Sequence, residues 1–188
     1  MIESFLGHKN STRNLTDDEF EIILPTLALE LESVSFYTSY SERELIDDWV
    51  KLQQWNSYVS SISSTQRIGM KLCEHFFPNF YDIENKKGDS FTSLWKCDKL
   101  EKVLRWNRKS HSTPYLSELK RGIYFNYGLP KSTMYRPQMA KMVVSSFEAK
   151  RVLDPCAGWG GRLLGALSVD DERNIHYIGT DPNTDHGT

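Results

Sequence analysis

The chain has 188 residues, of which 39% are hydrophobic and 26% are charged, and its formal net charge is −2. This composition excludes a disordered chain and suffices for one domain with a core, or for a helical domain plus part of another. No stretch approaches the roughly 18 apolar residues of a membrane helix, and the acidic, polar N-terminus is unlike a signal peptide. Cys73, Cys97 and Cys156 are too widely spaced to indicate a zinc site or a disulfide scaffold. We therefore expect a cytoplasmic protein that spans no membrane, holds no metal and keeps its thiols free.

The charges are unevenly distributed along the chain. Residues 1–50 contain eleven acidic against three basic residues, whereas residues 96–151 contain thirteen Lys or Arg against four acids. A polyanion could approach the second segment. Five of its bases recur at every third position: Lys96, Lys99, Lys102, Arg105 and Arg108. Because a step of three falls ~60° short of a helical turn, they would wrap around a helix, so a phosphate-binding helix and an ordinary solvated helix both remain open.

Two capping boxes predict where helices begin in the first half of the chain. Thr16 is followed three residues later by Glu19, and Ser41 by Glu44, and each pair can satisfy two free backbone N–H groups. Pro25 lies two turns into the first helix, so that helix should end there or restart with the proline in its first turn. Apolar spacing then predicts helices over 42–59, 67–76 and 91–107, with a loop over 78–90.

The resulting organisation is a helical domain over 1–110, a linker and connecting segment over 111–135, and the start of an α/β domain over 136–188. In that last segment Pro137 opens an amphipathic helix. Its apolar face consists of Met139, Met142, Val143 and Phe147.

One stretch of the last segment indicates chemistry. It reads Val152-Leu153-Asp154-Pro155-Cys156-Ala157-Gly158-Trp159-Gly160-Gly161-Arg162. Its first two residues close a short buried strand, its glycines permit positive φ and close approach to a ligand, and Arg162 opens a helix. A second apolar run, Ile175 to Ile178, is followed by Asp181, at the place where strand-helix-strand cofactor folds hold a ribose diol.

The order of these segments resembles a known family. The segments are, in order, Tyr135-Arg136-Pro137, a helix, the motif D-P-x-x-G-x-G-G, and a second strand followed by an acid. This order is similar to that of S-adenosylmethionine-dependent amino methyltransferases, which methylate adenine N6 or cytosine N4 in DNA. The similarity covers about residues 130 to 185. It implies an α/β fold in which a helical N-terminal domain precedes the start of a Rossmann-like (class I methyltransferase) parallel sheet.

The resemblance implies a set of residues that bind S-adenosylmethionine. Those expected at its methionine end are Tyr135, Pro137, Asp154, Pro155, Cys156, Ala157, Gly158 and Gly160. Within this set Asp154 would lie near the cofactor's amino group. Asp181 would accept both ribose hydroxyls, and Pro182 or Asn183 would lie beside the adenine. Trp159 would either cover the cofactor or point into the helical domain, and we expect the cover.

A dinucleotide-binding turn is the nearest alternative for the glycines. The usual third glycine of G-x-G-x-x-G is missing, because Leu163 stands in its place. Asp154 before the turn also suits a cationic amine, whereas it would repel a pyrophosphate. Both features favour the methyl donor.

The (Asp/Asn/Ser)-Pro-Pro-aromatic loop with which amino methyltransferases hold a flipped base does not occur in this sequence. We therefore assign no catalytic residue. We expect the chain to be either the N-terminal, cofactor-binding part of a larger enzyme or a natural truncation. In both cases its sheet should be incomplete at the C-terminus, and in a natural truncation a second polypeptide would complete that sheet. Alone, the chain should be inactive or nearly so, with little or no turnover.

Three functions remain in competition. The first is methylation of an exocyclic amino group of a DNA base, with DNA as partner. The second is a noncatalytic nucleic-acid-binding or regulatory module derived from a methyltransferase. The third is methyl transfer to RNA or protein.

Overall fold

The computed structural model describes residues 2–8, 11, 14–58, 66–130, 132–169 and 174–182. Its elements in chain order are α1 (Ile2–Phe5), α2 (Asp17–Ser33), α3 (Glu42–Gln54), α4 (Met70–Phe76), a 3₁₀ helix (Pro78–Asp82), α5 (Phe91–Leu94), α6 (Cys97–Lys109), α7 (Leu116–Tyr127), α8 (Pro137–Ser146), β1 (Arg151–Asp154), α9 (Gly161–Leu167) and β2 (His176–Gly179). Within these residues no helix is both long and apolar enough to cross a membrane.

The chain forms two compact units. The helical unit comprises Met1–Tyr37 and Tyr81–Lys131, and the sheet unit comprises Thr38–Phe80 and Ser132–Thr188. This division differs from the boundaries expected at 110 and 135. Residues 38–80 group with the sheet, and most of the expected linker belongs to the helical unit, because α7 packs there against α6.

The core of the helical unit lies between α2, α6 and α7. Its fully buried side chains include Phe20, Leu24, Leu27, Leu31, Leu100, Leu104, Leu119 and Ile123. The sequence contains a signal for α7, because Leu116, Leu119 and Ile123 fall at helical spacing. The segment therefore contributes to the core instead of linking two domains.

Local capping sets the start of α2 as predicted, but the expected effect of its proline is wrong. Thr16 Oγ1 accepts from Glu19 N at 3.2 Å, and Glu19 Oε2 accepts from Thr16 N at 2.8 Å. The helix then continues through Pro25 to Ser33. An interior proline costs ~3 kcal/mol, but Leu27 and Leu31, which follow it, are each fully buried and each worth ~2 kcal/mol on burial.

Two other helices depart from their predicted bounds. The predicted capping box of Ser41 and Glu44 is present, but α3 ends at Gln54 and not near 59. The helix predicted over 91–107 is two helices, α5 and α6. The chain breaks between them because Trp95 is buried and its Nε1 donates to Val34 O at 3.2 Å.

The sheet unit contains the predicted strand-helix-strand order. Among the described residues β1 and β2 form a two-stranded parallel sheet, with Val152 opposite Tyr177 and Leu153 opposite Ile178. Val152 and Tyr177 pack on the side of α8 and α9. The predicted α/β class is therefore confirmed at the level of helices combined with a small parallel sheet.

The burial of the strands and of α8 differs from expectation. Leu153 is 72% exposed and Ile178 is 44% exposed, so β1 is covered on one face only. Among the predicted apolar residues, Met139 and Val143 on α8 and Phe147, directly after α8, are exposed. The buried positions of α8 are instead Pro137, Gln138, Ala140, Lys141, Val144 and Ser145. This side of α8 is buried because Pro137, Ala140 and Lys141 pack closely against Gly165 of α9.

Candidate cofactor site

The glycine-rich turn connects β1 to α9 as the sequence predicted. Gly158 has φ +56° and Gly160 has φ +72°, in the left-handed region that glycine adopts without strain. Two backbone hydrogen bonds tie the turn to the residue after β2. Thr180 N donates to Asp154 O, and Ala157 N donates to Thr180 O, both at 2.9 Å. The turn therefore lies at the carboxyl end of both strands.

Two further glycines bring the segment before α8 close to α9. A Cβ on Gly161 would stand 2.9 Å from the carbonyl carbon of Tyr135 and still closer to its oxygen. A Cβ on Gly165 would stand 2.5 Å from Ala140 Cβ. Real Cβ atoms essentially never show such distances, so only glycine fits at these positions. The close approach places Tyr135 and Pro137 against the helix that follows the turn.

Asp154 is buried at the end of β1 and accepts three hydrogen bonds. Arg162 Nε and Tyr177 OH donate to Oδ2 at 2.7 and 2.5 Å, and Cys156 N donates to Oδ1 at 3.2 Å. Burial raises the pKa of Asp154, but the bonds from Tyr177 and Arg162 outweigh it, so the pKa lies below its ordinary value. The carboxylate is therefore ionised at neutral pH, and Oδ1 retains one acceptor position.

The sequence prediction missed the two side chains that hold Asp154. Burial and the bond to Asp154 raise the pKa of Tyr177, which therefore stays a phenol and a donor. Tyr177 lies two residues before Gly179, the register partner of Asp154, so its side chain lies on the same face of the sheet as Asp154. Arg162 lies on the first turn of α9, eight residues after the acid.

Asp181 lies beside the glycine turn. Its Oδ2 accepts from Gly158 N at 2.7 Å, and the residue is half-buried. The two halves of the predicted site, the turn after β1 and the acid after β2, are thus joined by a direct hydrogen bond. This contact also fixes the direction of the carboxylate.

A cleft of about 140 Å³ opens beside this turn. Its polar lining comes from Tyr135, Asp154 and Arg162, and its apolar lining comes from α8 and β1. The Arg162 guanidinium lies 5.2 Å from the centre of the Tyr135 ring. The lining of the cleft includes neither residues 155–160 nor Asp181, and small-molecule sites usually enclose ~300–1,000 Å³, so the cleft has room for only a small part of a donor-sized ligand.

The remaining predicted residues are placed as follows. Pro155, Cys156 and Ala157 form the first half of the turn. Pro182 is exposed directly after Asp181, and Asn183 lies outside the described residues. The Trp159 ring packs edge-on against Phe77 and Phe80, with centroids 6.3 and 5.3 Å away. Cover of the cofactor by this ring stays a prediction.

The acidic and basic segments of the sequence pair with each other inside the helical unit. Salt bridges join Lys96 to Glu32, Arg105 to Glu21 and Arg108 to Asp17, at 3.2, 2.8 and 2.9 Å. Lys99 pairs with Asp98, and Lys102 Nζ donates to Asn126 O. Folding therefore cancels part of the positive excess of residues 96–151, and all five bases of the three-residue repeat have a partner.

In the part of the chain that the structure describes, no group of three or more His, Cys, Asp or Glu could hold a metal ion. No family model matches this chain, and comparison with curated proteins and with solved structures found no match either. The candidate site therefore rests on its own geometry.

Proposed function

We propose that this protein is an S-adenosylmethionine-dependent methyltransferase of Rossmann-like fold, whose sheet unit binds the methyl donor at the turn after β1. Its proposed target is an exocyclic amino group of a DNA base, adenine N6 or cytosine N4. One observation carries the proposal. Gly158 N donates to Asp181 at 2.7 Å, so a glycine-rich turn and a carboxylate meet at the carboxyl ends of two parallel strands, where nucleotide ligands bind in open α/β sheets.

The proposed site is preorganised, because Asp181 is already held by the Gly158 amide. A carboxylate can accept hydrogen bonds from both hydroxyls of a ribose. Because the Gly158 amide already orients Asp181, ligand binding does not have to order that side chain, which lowers the entropic cost of association. A Cβ on Gly158 would stand 3.9 Å from Arg162 Nη2, so glycine at this position keeps the turn open next to that side chain, whereas a Cβ on Gly160 would meet the Phe77 ring at 2.5 Å.

The proposed chemistry needs no covalent intermediate with the protein. The donor, when bound, supplies a methyl group on a sulfonium, and the amine of the base attacks it directly. The protein then acts by positioning, electrostatics and exclusion of water. Because the sequence holds no Pro-Pro-aromatic loop to hold the base, we expect donor binding from this chain but very slow turnover.

Isothermal titration calorimetry with S-adenosylmethionine tests the donor site. We expect micromolar to millimolar affinity for the wild type. Asp181→Asn should weaken binding ~10-fold or more, because hydrogen bonds to a charged group are lost. Asp47→Asn, on an exposed acid of α3 in the same unit, is the matched control and should bind as the wild type does. No binding by the wild type, or equal binding by Asp181→Asn, would refute the site.

The substrate class needs a separate test. DNA, RNA and protein are incubated for long periods with the chain and with donor labelled at the methyl group. Label that enters only DNA supports the proposal, and label that enters RNA or protein contradicts the proposed target.

A noncatalytic nucleic-acid-binding module is the second candidate. It is favoured by the engagement of Asp154, which already has a cationic partner in Arg162. Such a module would bind DNA with a strong dependence on salt and transfer no label to any substrate, even after the missing half of the enzyme is supplied in trans.

A further inference from the structure

Arg162 is held in a fixed orientation but keeps most of its donors. Its Nε donates to Asp154 Oδ2 at 2.7 Å, and its guanidinium lies over the Tyr135 ring at 5.2 Å. Of its five N–H groups, this geometry uses one. Among the described residues, no acceptor pairs with its terminal Nη atoms. The side chain is 32% exposed and lines the cleft beside the turn.

The terminal nitrogens lie next to the glycine turn. Nη2 of Arg162 is 3.9 Å from the point where a Cβ on Gly158 would stand. Asp154 and Arg162 both line the same cleft. The cleft thus presents one positive and one negative group side by side.

We infer that the Asp154–Arg162 pair recognises the amino-acid end of the methyl donor. Arg162 Nη atoms donate to the α-carboxylate, and Asp154 Oδ1 accepts from the α-ammonium. The inference rests on the proposed function, and it assigns to Arg162 a binding role that the sequence analysis did not give it. An ion pair whose net charge is near zero matches a ligand end that is itself zwitterionic.

The chemistry of arginine suits this role. A guanidinium is planar and presents paired N–H groups that match a carboxylate in a bidentate arrangement. A helix end supplies at most about half a charge, whereas arginine supplies a full one. The contacts with Asp154 and Tyr135 orient the fork before the ligand arrives, as a preorganised site requires.

The test removes the carboxylate from the ligand and the guanidinium from the protein in turn. Calorimetry compares S-adenosylmethionine with decarboxylated S-adenosylmethionine for the wild type, Arg162→Gln, Arg162→Lys and Arg151→Gln. Arg151 is the matched control, since it is exposed on β1 and alternates to the opposite face of the sheet from Asp154. The wild type and Arg151→Gln should prefer the complete donor about 10- to 100-fold.

In Arg162→Gln that preference should fall to about twofold or less, and Arg162→Lys should restore part of it. A variant that is merely less folded loses affinity for both ligands by the same factor, so the ratio within each variant still reports on the carboxylate. If Arg162→Gln keeps the wild-type ratio while Asp181→Asn weakens both ligands, the inference is wrong and the proposed function stands. If the wild type binds neither ligand, both are wrong.

Discussion

Replacing Gly165 by alanine tests the packing that positions the glycine turn. A Cβ there would stand 2.5 Å from Ala140 Cβ and 2.8 Å from Lys141 N, and closer still to Pro137 O. Two of these atoms are backbone, so relief requires α8 and α9 to move apart. Overpacking costs up to ~3 kcal/mol, whereas alanine in a helix gains ~1 kcal/mol over glycine. We therefore expect the sheet unit of Gly165→Ala to be less stable by about 2 kcal/mol.

Amide hydrogen exchange in urea measures this loss in the sheet unit alone. The reporters are His176 N and Thr180 N, which donate to Lys150 O and Asp154 O. Gly88→Ala is the control, because its Cβ would meet nothing within 4 Å and its φ of +79° costs only ~1 kcal/mol in the other unit. Unchanged or slower exchange of these amides in Gly165→Ala would refute the packing argument.

Two further predictions concern buried charges of the sheet unit. Lys141 Nζ donates to the carbonyls of Leu52 and Gln53 at 2.8 and 2.6 Å, so Lys141→Met should lower the free energy of unfolding in urea by ~1–3 kcal/mol. The control is Lys150→Met, on an exposed lysine, which should change the free energy of unfolding by less than ~0.5 kcal/mol. Equal effects of the two substitutions would contradict a specific role for Lys141. Because the pKa of Asp154 is lower in the folded state, its contribution to stability is complete above its unfolded pKa of ~3.9 and is lost as the pH falls through the folded value. Unfolding measured from pH 5 to pH 2 should therefore show a steeper loss for the wild type than for Asp154→Asn, and parallel curves would contradict it.

Local hydrogen bonding explains which helix starts could be predicted from the sequence. The capping box of Thr16 and Glu19 closes within four residues, so it acts whatever surrounds it. The continuation of α2 through Pro25 depends instead on leucines that α6 and its neighbours bury. The buried side of α8 likewise depends on Gly165, nearly thirty residues after Pro137. Pattern alone does not contain these tertiary contacts.

The candidate site divides in the same way. The glycine turn and Asp181 could be predicted because each follows a strand directly, and the ends of parallel strands are neighbours. Arg162 and Tyr177 could not be assigned from their positions alone, because their bonds to Asp154 depend on the register of β2 and on the path of the turn. The placement of Trp159 depends on Phe77 and Phe80, about eighty residues earlier.

A crystal soaked with S-adenosylhomocysteine, the demethylated donor, shows whether the glycine turn and Asp181 hold the donor. We expect ligand density against the turn from Pro155 to Gly160, with both ribose hydroxyls within hydrogen-bond distance of Asp181. A ligand bound elsewhere, or an Asp181 carboxylate that contacts only protein atoms at saturating ligand, would contradict this expectation.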